Sequence, residues 1–104
     1  MHLDQEQKKH FRRIGHHLKP VLIVTDKGFG ETHAAELERA LEDHELIKVK
    51  INVLEREDKQ LVVDALCETS GAAVVQTIGK MALLYRPAKK PNPKLSNLLR
   101  YQTR

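Results

Sequence analysis

The chain has no tryptophan, one cysteine, two tyrosines and two phenylalanines. With so few rings, a ligand site built on stacked aromatics is not expected. A lone Cys67 excludes an internal disulfide and gives no sign of an oxidising compartment. No apolar run approaches the ~18 residues of a membrane span. The opening "MHLDQEQKKH" lacks the apolar stretch of a signal peptide. The expectation is a cytoplasmic protein, monomeric and without a membrane partner. Walker-type, G-x-G-x-x-G and G-x-S-x-G loops are also missing, so no phosphate-transfer, dinucleotide or acyl-transfer site declares itself. His16 and His17 are adjacent, which on a helix turns them about 100° apart, and no Cys pair or H-x₃-H partner accompanies them. Cys67 lies near the apolar face of a helix with no base beside it. No catalytic residue, metal or cofactor is expected, and the protein is not read as an enzyme.

What is present is charge, unevenly spread over 104 residues with a formal net of +4. Arg86, Lys89, Lys90, Lys94, Arg100 and Arg104 are unopposed from position 86 onward, whereas residues 31–45 carry Glu31, Glu36, Glu38, Glu42, Asp43 and Glu45 against Arg39 alone. A basic region and an acidic flank follow. Basic patches draw nucleic acid or anionic membrane, and net charge alone does not choose between them.

Periodicity supplies the frame. Gln7, Phe11, Ile14 and Leu18 recur at helical spacing behind Asp4, which with Gln7 suits a capping box. "VLIV" (21–24) reads as a short buried strand, and 31–44 as a helix presenting Ala34, Leu37 and Leu41, with Gly30 at its N-cap position. "ELIKVKI" (45–51) alternates strictly, placing Ile47, Val49 and Ile51 on one face and Leu46, Lys48 and Lys50 on the other. A third helix, 56–71, aligns Val62, Ala65, Leu66 and Thr69 and ends at Gly71, placed for a left-handed cap. Strands at 72–78 and 81–86 flank Gly79-Lys80, a link suited to a type II′ hairpin. The order α-β-α-β-α-β-β predicts a two-layer α/β domain whose sheet is covered on one side only. Ile47, Val49, Ile51, Leu37, Leu41, Leu66 and Val74 are its expected core. The domain is placed at 1–87, and the proline-punctuated, basic 88–104 is expected to be a flexible tail.

Cations cluster by element. Lys8, Lys9, Arg12, Arg13 and His16 fall at i, i+4 spacings opposite Phe11 and Ile14. Lys19 follows the helix, Lys27 sits in the next loop, Lys48 and Lys50 alternate on a strand, and Lys80 and Arg86 flank the last strand. Several elements contributing cations without intervening acids suit a surface that tracks phosphates. The acidic second helix offers an alternative, a protein-interaction module docking on a basic ribosomal protein.

"HHLKP" (16–20), "VLIVTDKGFGE", "LEDHELIKVKI" and "VVQTIGKMALLYRP" resemble the YhbY family, single-domain bacterial versions of the CRM domain. The resemblance spans residues 3–87 and leaves the tail outside. It implies an RNA-binding domain like the C-terminal domain of translation initiation factor three, with strand order 1-2-4-3 and the last strand antiparallel. It also implies association with precursors of the large ribosomal subunit, which makes ribosomal RNA the expected partner, beside the ribosomal proteins of the alternative reading. A G-x-x-G loop follows the first strand in the family, similar to the loop with which KH domains clamp a backbone. Here that loop reads Thr25-Asp26-Lys27-Gly28. Thr25 replaces the first glycine, Lys27 would attract a phosphate, Asp26 would repel one, and Gly28 keeps the freedom for close approach.

Overall fold

A computed structural model describes residues 3–26 and 30–101. Helix α1 (Gln5–Gly15) starts at Asp4, whose carboxylate accepts the Gln7 N–H at 2.8 Å while the Gln7 side chain accepts the Asp4 N–H at 3.1 Å. This is the capping box read from the sequence. Strand β1 (Pro20–Thr25) leads to α2 (Glu31–His44), β2 (Leu46–Asn52), α3 (Arg56–Ser70), β3 (Ala73–Ile78), β4 (Met81–Tyr85) and a last short helix, α4 (Asn97–Tyr101). Helix α2 starts at Gly30, whose N–H donates to His33 Nδ1 at 3.3 Å. Gly71 closes α3 with φ 75°, and Gly79 turns the β3–β4 hairpin at φ 55°, both conformations that glycine adopts without a Cβ penalty.

The strands form one sheet in the order β1-β2-β4-β3, with β1 parallel to β2 and β4 antiparallel to both of its neighbours. The α/β class and strand order are those the resemblance implies. On one face Leu22, Val24, Ile47, Val49, Ile51, Ala82 and Leu84 pack against Leu37 and Leu41 of α2 and Val63 and Leu66 of α3. The main core is thus formed as expected, with two corrections. Val63 rather than Val62 is the deeply buried valine of α3. Val74 is 36% exposed and stays out of the main core, while its neighbour Val75 is buried on the opposite face, in the cluster around α1. Strand β3 is an edge strand with a register shift between Val74 and Gln76, and such a bulge re-aims side chains.

The opposite face is half covered. Phe11 and Ile14 of α1 pack with Leu3, Leu46, Val75 and Leu83, and the Phe11 and Tyr85 rings meet at 4.6 Å between centroids. Gly15 makes this approach possible. A Cβ there would stand 2.6 and 2.8 Å from the two Leu83 methyls, and Leu83 is itself buried. Gly15→Ala is therefore expected to lower stability by roughly 1–3 kcal/mol through overpacking. A chemical denaturation midpoint left unchanged would show that α1 does not press on β4.

The 88–104 segment was expected to be loose, yet its described residues are drawn onto the domain. The Ala88 N–H and Ser96 Oγ donate to the two oxygens of the buried Glu45 carboxylate, at 2.9 and 2.7 Å. Asn97 Nδ2 donates to the Leu46 carbonyl at 2.7 Å, Lys89 N–H to Glu42 at 3.0 Å, and Leu98 joins the α1 cluster. Glu45 is the junction of α2 and β2, where no loop intervenes. It reverses the chain at φ 62°, a conformation costly for any residue with a Cβ. Its N–H reaches the Leu41 carbonyl and its carbonyl accepts from the Arg86 N–H, so backbone and side chain together hold that turn.

Candidate nucleic-acid interface

Where α1 stops covering the sheet, a half-open face begins. Directly opposed residues in a ladder share a face, so the strand register maps this surface. Ile23 of β1 lies beside Lys50 of β2, Lys50 opposite Met81 of β4, and Met81 opposite Ile78 of β3. In the adjacent row Lys48 faces Leu83, which faces Gln76. Ile23 and Ile78 are 52% and 64% exposed, unusual for isoleucines on regular strands. Lys50 thus lies between exposed Ile23 and half-buried Met81, and Lys48, one row away, lies opposite buried Leu83.

Helix α1 stands beside this floor. Arg12 and His16 line a hollow of about 260 Å³ with Lys48, Gln76, Ile78 and Met81, and Leu83 lies at its back. Lys8 is half-buried on the same i, i+4 line as Arg12 and His16, while Arg13 is exposed one residue further round the helix. Lys19 precedes Pro20, the β1 partner of Lys48. Thr25 and Lys80 mark the far end of the sheet. Thr25 is in register with Asn52, and Asn52 Oδ1 accepts from Lys80 Nζ at 2.9 Å. Lys27 and Gly28 lie outside the described residues.

Arg86 stands apart from the other cations read from the sequence. It is on the α2 side, where its guanidinium reaches Glu38 at 2.7 Å, Glu42 at 3.2 Å and the Ser70 carbonyl at 3.1 Å. With its side chain 16% exposed, it serves as a strut between the end of β4, α2 and the end of α3. The hydrogen bond from Arg86 holds the Glu38 carboxyl below its ordinary range. That contribution is present above the ordinary carboxylate pKa and fades as the pH falls through the lowered one. The acidic helix is correspondingly less available to an outside partner than its charge count suggests. Among the described residues no ion pair engages Lys8, Arg12, Arg13, Lys19, Lys48, Lys50 or Lys80.

The remaining residues weighed from the sequence have structural settings. Cys67 is half-buried against the main core, and burial together with nearby Asp64 raises its thiol pKa, which disfavours the thiolate a nucleophile needs. His44 Nδ1 lies 2.9 Å from the Leu95 carbonyl. No group of His, Cys, Asp and Glu suited to a metal ion occurs among the described residues. None of the helices among them is long and apolar enough to cross a membrane.

A 1-2-4-3 sheet with α2 and α3 on one face and an opposite face that α1 covers in part, lined by unpaired cations, defines a small two-layer α/β domain. The chain belongs to the CRS1/YhbY (CRM) domain family, whose model matches residues 3–86. It is 59% identical to the Pseudomonas aeruginosa protein named "Probable RNA-binding protein PA4753", over 97% of each chain. It is 44% identical to a Haemophilus influenzae protein named "RNA-binding protein", over 85% of this chain and 89% of that one. The solution structure of SAV1595 from Staphylococcus aureus, a protein proposed to bind RNA, superposes with a TM-score of 0.75 at 29% identity, covering 91% of this chain and 98% of that one.

Proposed function

We propose that the protein binds RNA without catalysing a reaction, and that its target is ribosomal RNA in precursors of the large ribosomal subunit. In this reading it acts in the cytoplasm as a monomeric assembly factor. The observation that supports the RNA reading is the placement of Arg12 and Lys48 beside one hollow and of Lys50 in the next row of the same half-open sheet face, with no acid paired to any of them. Phosphates are recognised by such cations irrespective of base sequence. The relatives' names support the same partner, and the resemblance to the YhbY family supports the ribosomal target.

If RNA crosses this face, Arg12→Ala, Lys19→Ala and Lys50→Ala should each weaken binding to any RNA sequence. Each should also flatten the slope of log affinity against log salt by about 0.7–0.9, one phosphate contact apiece. Arg86→Ala should leave the slope unchanged while lowering the denaturation midpoint. Glu36→Lys, on the exposed side of α2, is the charge control. Slopes equal to wild type in all three basic-face variants would refute the surface. Crosslinking in cells followed by sequencing of the attached RNA tests the target, and reads scattered without enrichment in ribosomal precursors would refute it.

A further inference from the structure

The hollow beside α1 is not shaped like a phosphate-tracking groove alone. Its floor is aliphatic, formed by Ile78, Met81 and Leu83, while Arg12 and Lys48 stand at its sides. Gln76 is half-buried in it, and no hydrogen bond among the described residues engages its side-chain amide. We infer that this hollow receives one unpaired RNA base, so that the protein selects single-stranded over base-paired RNA.

The inference rests on the RNA-binding reading and adds the class of RNA. An aliphatic floor matches the plane of a base and gains nothing from a phosphate. The flanking cations complement the charge on either side of the same nucleotide. An amide that both donates and accepts can meet the Watson–Crick edge of several bases, which predicts a mild base preference rather than a strict one. A duplex offers its surroundings phosphates and sugars and keeps those edges paired. Helix α1 rises as a wall beside the floor, so a single strand with a base turned out reaches where a rigid helix does not.

The test measures affinity by fluorescence anisotropy, at one salt concentration, for three probes. These are a mixed-sequence single-stranded RNA, the same strand annealed to its complement, and the same strand carrying abasic sites. The intact single strand should bind about fivefold more tightly than either other form, the gain expected when a base covers a few tens of Å² of apolar surface on Ile78 and Met81. Gln76→Ala and Ile78→Ala should remove most of that advantage and leave binding of the abasic strand unchanged. Ile78 is largely exposed, so its variant keeps its thermal midpoint and separates binding from folding. Equal affinity for intact and abasic strands would overturn the inference while leaving RNA binding intact. Failure to bind any of the three probes would overturn both.

Discussion

Leu41→Ala is expected to lower the free energy of unfolding by roughly 2–5 kcal/mol. Leu41 is fully buried at the meeting of α2 with the sheet, where truncation removes apolar contacts and leaves a cavity that close-packed neighbours fill only in part. The same change at Leu61, 65% exposed on α3, should move stability by about half a kcal/mol or less. Urea denaturation of the two variants beside wild type measures the contrast. Similar midpoints for both would mean that the α2 register is wrong.

Removing residues 88–104 should cost about 2 kcal/mol or more without abolishing the fold. Lost with the segment are the Ala88 and Ser96 bonds to Glu45, the Asn97 bond to Leu46, and the cover that Leu98 gives the α1 cluster. Each hydrogen bond contributes roughly 1 kcal/mol net, offset in part by the entropy recovered when the segment is freed. Glu45, held at φ 62° by these partners, then keeps its backbone strain with fewer bonds to offset it. The α2–α3 side of the core holds none of the segment, which is why folding survives. Ser96→Ala tests the same latch with one atom. It should lower the midpoint by itself, because the Glu45 carboxylate stays buried with one partner fewer. A truncated chain as stable as the full one would show that the segment does not dock.

Local rules carried most of the frame. Asp4 and Gln7 announce the first helix because a capping box involves only residues three apart. Gly71 and Gly79 mark their turns because a positive φ is a property of one residue. Strict alternation in β2 assigns Ile47, Val49 and Ile51 to one face, and those three are fully buried. Where the local signal is ambiguous the reading stops. "VLIV" is apolar at every position, so nothing in it tells that Leu22 and Val24 are interior while Ile23 is uncovered. Val74 and Val75 are neighbours of equal hydrophobicity, and only the bulge in edge strand β3 decides which is buried.

The candidate site divides the same way. Arg12, Lys48 and Lys50 could be proposed from spacing, since helical and strand periods set them opposite the apolar positions of their own elements, and Lys19 from its place at the helix exit. Gln76, Ile78 and Met81 could not, because their place beside Arg12 depends on β4 entering between β2 and β3 and on α1 docking over Leu83. Arg86 looks like any other basic residue in sequence, and its partners Glu38 and Glu42 lie more than forty positions away. The chain by itself therefore determined its first three helices, its glycine turns, the two faces of β2 and the sign of its exposed charge, all set by interactions within a few residues. Tertiary structure alone decided which cations remain unpaired, which side of the sheet stays open, and that residues 88–101 close over Glu45. Those outcomes depend on contacts between distant segments, and no local period encodes which distant partner a side chain will meet.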